Sequence, residues 1–185
     1  MTGSFSPPLD RSRPPRPGSV RAFDFPSVTS FSLSNGVDLK VARMARVPVA
    51  SLTVLVRAGE THVPDASAGL AVLSGEALES GTTLRTGLEL AEAFENIGAG
   101  LSVRTGWDAT MASLTCLADR LPEAGSLLAE TLLSPSFPSE EIERLRNQRL
   151  AAIRQRRMDP GSLADDAAVH FFYSDASPYH RPLTG

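Results

Sequence analysis

Three histidines, His62, His170 and His180, are the first candidates for chemistry in this 185-residue chain. A neutral imidazole can bind a metal or carry a proton near neutral pH. Their spacing builds no such site. None pairs with another at i+3 or i+4, and none stands in a metal-ligand spacing with a carboxylate. His62 reads as a solvated loop residue, His170 as a boundary residue of an apolar helix, and His180 as part of a terminal loop. Cys116 is the single cysteine, which excludes an intramolecular disulfide and a cysteine-based zinc site. Within the alternating stretch MASLTCLADRL it reads as a small buried residue rather than a nucleophile. No serine sits in a nucleophile elbow, and no glycine loop is laid out to cradle phosphate. Arg144, Arg146, Arg149, Arg154, Arg156 and Arg157 crowd one stretch and could neutralise phosphates. Glu140, Glu141 and Glu143 precede them, complementing a helix dipole and supplying ion pairs, so a solvated or partner-facing helix is expected and nucleic acid is not. One stretch stays conspicuous. GLAVLSGEALESGT, residues 69–82, has the ends of a functional helix, yet its centre carries Val72, Gly75 and Glu76.

The surrounding elements follow from periodicity. Two alternating runs flank Ser34-Asn35-Gly36, where Asn-Gly accepts positive φ, and they predict a β-hairpin. VASLTVLVRAG, residues 49–59, is mostly apolar and predicts a central strand buried on both faces. Asp65 or Ser67 is expected to cap a helix running to about Glu79. A second helix is expected over TGLELAEAFENIGA, and two strands, LSVRTG and ATMASLTCLA, follow around a turn at Gly106-Trp107-Asp108. RLPEAGSLLAETLL is amphipathic. The arginine-rich helix starts at a capping Ser139, has Ile142, Leu145, Leu150 and Ile153 as its apolar face, and stops near Asp159-Pro160. A last helix covers SLADDAAVHFFY. Strands, two helices, two strands, then helices predict an α+β fold, an antiparallel or mixed sheet with helices packed on one face.

Composition sets the bounds. Hydrophobic residues make up 42%, enough for a core, and a formal net charge of −3 implies no strongly charged partner. Residues 1–26, rich in proline and arginine, are expected to form an extended arm, with the globular part over 27–185. No apolar run is long enough to span a bilayer, so no membrane is expected, and no h-region marks a signal peptide. The compartment expected is cytoplasmic, or periplasmic if the true N-terminus lies upstream.

From about Phe31 to Gly185 the sequence resembles the N-terminal domain of the insulinase, pitrilysin and mitochondrial-processing-peptidase family of zinc metallopeptidases. The landmarks are FSLSNGVDLKVAR, LVRAGE, GLAVLSGEALESGT, LAEAFENIGAGLSVRTGWDAT, SPSFPSEEIERLR and SPYHRPLTG, in order and at the right spacing. The resemblance implies what the helix at residues 69–82 should hold. Active members carry His-x-x-Glu-His there, two zinc-binding histidines and a water-activating glutamate, with a third ligand on a later helix. Register on Gly69-Leu70-Ala71 and Gly81-Thr82 places the first histidine at Val72, the glutamate at Gly75 and the second histidine at Glu76. Register on EEIER places the third ligand at Ala152.

The resemblance therefore implies a member without catalytic residues and without zinc in this chain. Such members pair with a zinc-bearing homologous subunit or half and help to enclose an extended peptide substrate. By the same resemblance, Gly100, Leu101, Ser102 and Val103 form a sheet edge that docks peptide by strand addition. Two alternatives stay open: an active metalloendopeptidase with a non-standard site around Glu76 or His170, and a scaffold subunit of a larger complex. The family's working half has two related domains, so a chain ending at Gly185 is expected to lack the second.

Overall fold

A computed structural model describes residues 18–19, 22–44 and 46–185. Most of the arm expected over residues 1–26 lies outside the described residues. The chain forms two compact units that divide between Arg46 and Val47.

The first unit contains a β-hairpin of β1 (Val28–Ser32) and β2 (Asp38–Ala42), paired antiparallel from Val28↔Ala42 to Ser32↔Asp38. Its turn is the Asn-Gly predicted from sequence. Gly36 takes φ of 84°, a left-handed value that glycine adopts without a Cβ clash. The Val37 N–H donates to Asn35 Oδ1 at 3.2 Å.

The second unit is built on three antiparallel strands in the order β3-β5-β4: β3 (Val49–Val56), β4 (Gly100–Thr105) and β5 (Thr110–Leu117). Five helices accompany them: α1 (Leu70–Ala77), α2 (Gly87–Asn96), α3 (Leu121–Leu133), α4 (Ser139–Arg156) and α5 (Pro160–Phe172). Strand periodicity sends alternate side chains to one face. Ala112, Leu114 and Cys116 of β5 meet Leu90 and Phe94 of α2 and Ala124, Leu127 and Leu128 of α3, and together they form the core. Leu52, Val54, Leu101 and Val103 from the flanking strands pack against it. The helices thus cover one face of an antiparallel sheet, and the fold class is α+β as expected.

Three local expectations need correction. β3 is an outer strand of its sheet, and Ser51 and Thr53 lie on the exposed face, with their hydroxyls 3.3 Å from those of Thr115 and Ser113. Alternation within an apolar-looking run, not burial on both faces, explains its composition. Asp65 and Ser67 do not cap α1. They fall in a separate 3-10 turn (Asp65–Ser67), and the N-cap is Gly69 at φ 89°. Ser139 is the first residue of α4 rather than its cap, which is Pro138, and no side chain caps there. By contrast, α2 is closed by a complete capping box between Thr86 and Glu89.

Candidate functional site

The site begins where β3 ends. Gly59 lies so close to the backbone of Trp107, Asp108 and Ala109 that a Cβ would overlap it. That close approach turns the next residue, Glu60, into the interior, where it is 0% exposed. A buried carboxylate requires full pairing. Glu60 accepts hydrogen bonds from the backbone N–H of Gly69 and, at 3.1 Å, of Ala71, so it caps α1 from a distance and places negative charge at the positive end of the helix. Arg181, 6% exposed, sits 3.5 Å from the same carboxylate and donates to the carbonyls of Glu60, Val63 and Pro64. The element that presents the candidate site is therefore fixed by two residues 121 positions apart in sequence. Neither was singled out from sequence. Both lie within landmarks, Glu60 ending LVRAGE and Arg181 within SPYHRPLTG, but nothing local marks them as a pair.

Along α1, Val72 is 8% exposed and faces the interior. Gly75 lies against β4, where a Cβ would overlap Thr105 Oγ1 and come near Val103. The Thr105 hydroxyl is 2.9 Å from that of Thr110, which donates at 2.7 Å to the Ala58 carbonyl. Glu76 is the one carboxylate in the set, and Arg149 of α4 donates to it in an ion pair. Glu76 is exposed and ion-paired at once. Ala152, one turn further along α4, is exposed and fills no vacated space. Of Val72 and Ala152, only Val72 is buried.

These four positions do not fit a zinc ion. Val72, Gly75 and Ala152 carry no donor side chain, and the Glu76 carboxylate is neutralised by a guanidinium. Among the described residues, no group of three or more His, Cys, Asp or Glu side chains is placed to hold a metal. The structure does bring His170 and His180 together, with ring centroids 5.9 Å apart, a contact their spacing did not announce. His180 Nδ1 lies 2.6 Å from the Ser177 carbonyl.

Beyond the C-terminal end of α1 lies an open cleft of about 860 Å³, lined in part by Glu76, Glu79, Arg85, Glu89, Glu141 and Arg144. Glu130 of α3 holds one wall. It accepts from the Thr82 hydroxyl and from Arg85, and these bonds, the Thr82 one foremost, hold its carboxyl below the usual carboxylate range. The predicted peptide-docking residues, Gly100, Leu101, Ser102 and Val103, all lie on β4, an outer strand of its sheet. They are not equivalent. Backbone groups alternate in direction along an antiparallel strand. The Val103 N–H points outward, where it donates to Glu79 Oε1 at 3.0 Å, so those of Leu101 and Thr105 point the same way while Ser102 is turned toward β5. The outward donors are thus Leu101, Val103 and Thr105, not Ser102.

Among the described residues, no helix is long and apolar enough to cross a membrane. The family model for Insulinase (Peptidase family M16) matches residues 41–177. An uncharacterised zinc protease of Rickettsia felis is 24% identical over 153 residues, covering 83% of this chain and 37% of that protein. YmxG of Helicobacter pylori, described as a non-peptidase homologue, is 29% identical over 118 residues, covering 64% of this chain and 27% of that protein. The crystal structure of a peptidase M16 inactive domain from Pseudomonas fluorescens superposes with a TM-score of 0.82 at 27% identity, covering 86% of this chain and 39% of that one. A protease from Helicobacter pylori shares the fold at a TM-score of 0.77 and 21% identity, with 87% and 39% covered. The chain spans well under half the length of these relatives. With a family match over most of its length and the same α+β architecture, this chain belongs to the insulinase family, peptidase family M16.

Proposed function

We propose that the protein is a non-catalytic member of the insulinase family, which pairs with a zinc-bearing homologous subunit or half to form a peptide-processing chamber. The observation that carries this reading is the seat of Gly75. At the position assigned to the catalytic glutamate there is no room even for a Cβ, because Thr105 occupies it. The neighbouring Glu76 is held by Arg149. A site remade in this way does not regain its chemistry by one substitution. The name of the inactive domain from Pseudomonas fluorescens and that of the non-peptidase homologue from Helicobacter pylori support the same direction. Fold alone would not, because a shared fold hosts active and inactive members alike.

In this reading the β4 edge contributes to holding extended peptide, and backbone pairing there makes recognition tolerant of sequence. The test is reconstitution with a homologue that carries His-x-x-Glu-His, followed by a peptidase assay. Activity is expected only in the presence of that homologue, and it should survive Glu76→Gln in this chain. Activity of this chain alone, abolished by Glu76→Gln or by His170→Ala, would overturn the proposal in favour of a non-standard active site.

A further inference from the structure

An outer strand offers unpaired backbone groups to any passing extended chain, and proteins commonly protect such edges with charged side chains. On β4 the protection is specific. Glu79 sits in the 3-10 turn Leu78–Ser80 that follows α1, and its carboxylate accepts the outward N–H of Val103 at 3.0 Å. Val103 is central to the stretch where an added strand would pair. Glu79 has no ion-pair partner among the described residues. Its side chain also lines the cleft beyond α1 and a second hollow of about 240 Å³ between α2 and β4, rimmed by Glu95 and floored by Leu90, Phe94 and Leu101.

We infer that Glu79 is a latch that closes the β4 edge. A strand docks there only by exchanging its own carbonyl for the Glu79 carboxylate at the Val103 N–H. The exchange leaves a carboxylate without its donor, in the hollow that Glu95 also lines. A lysine or arginine on the incoming strand compensates it, and an acidic residue aggravates it. The latch therefore makes an otherwise sequence-tolerant edge selective for basic extended peptides. This inference rests on the reading of β4 as a docking edge.

The test uses the 185-residue protein and fluorescein-labelled short alternating Thr-Val peptides carrying lysine or glutamate at the centre. Two variants are compared. Glu79→Ala removes the latch, and Glu79→Gln keeps an acceptor oxygen but no charge. Amide exchange at Val103 is followed by NMR. In Glu79→Ala the Val103 amide should exchange about tenfold faster and the glutamate peptide should bind about tenfold tighter, the scale of one charge-assisted hydrogen bond, while the lysine peptide, which already compensates the carboxylate, gains less. The lysine peptide's advantage should vanish in both variants, while Glu79→Gln keeps most of the Val103 protection. Unchanged Val103 exchange in Glu79→Ala overturns the latch and leaves the docking edge standing. Faster Val103 exchange without tighter binding of either peptide overturns both the latch and the docking edge. A lysine preference that persists in Glu79→Gln overturns the selectivity.

Discussion

Gly75 of α1 has no room for a side chain. A side chain there meets Thr105, whose hydroxyl is tied to Thr110. Gly75→Ala should destabilise by about 1–3 kcal/mol through overpacking. Adding Thr105→Ala should recover most of that loss, because the clash is with the Thr105 hydroxyl. Thermal melts of the two single variants and the double variant measure the coupling, and additive losses would show that the clash lies elsewhere. Val72→Asp should cost about 2–4 kcal/mol, since it places an unpaired carboxylate at a position 8% exposed. Glu76→Gln should cost far less, about 0.2–1 kcal/mol, the range for a partly exposed ion pair with Arg149. A melt ranking these two variants in the opposite order would mean that Val72 faces open space and that the Arg149 pair holds α1 to α4.

At the scale of elements, sequence periodicity located the strands and helices but not what holds α1 in place. Asn35-Gly36 and the turn at Gly106-Trp107-Asp108 were legible because turn chemistry is local. The cap of α1 was not, because Glu60 and Arg181 act across the length of the unit. Removing one partner of a buried pair strands the other, so Glu60→Ala should cost about 3–5 kcal/mol. Denaturant titration should show this as a lower midpoint. β3 was misread because Ser51 and Thr53 are small enough to hide in an apolar run while lying on the exposed face. Acid stability follows from α3. Glu130 has a folded pKa below its ordinary 4.5. Its contribution is therefore present above that value and lost as pH falls through the depressed folded one. Thr86 holds Glu89, and Ser162 holds Asp159, in the same direction through hydrogen bonds. Glu130→Gln should lower stability near neutral pH, and the gap to the unsubstituted protein should narrow on acidification below pH 4.5. Urea titrations across that range decide it, and a constant gap would mean that the carboxylate's charge is not what Thr82 and Arg85 respond to.

At the scale of the whole molecule, the α+β fold was legible because strands, two helices, two strands and then helices follow one another in the periodicity, and the family model matches residues 41–177. That Val72, Gly75 and Ala152 carry no metal-binding side chain was legible too, whatever their surroundings. What took their place was not. Arg149 at Glu76, Thr105 at Gly75, Glu79 on the edge of β4 and the approach of His170 to His180 are contacts between distant segments, which a single sequence does not display. The central claim is that this domain keeps the frame of a zinc peptidase without the means to hold zinc. Its most direct measurement is metal content after zinc loading and exhaustive dialysis. The account predicts far less than one zinc per chain, unchanged by Glu76→Gln. One tightly retained zinc per chain would contradict it.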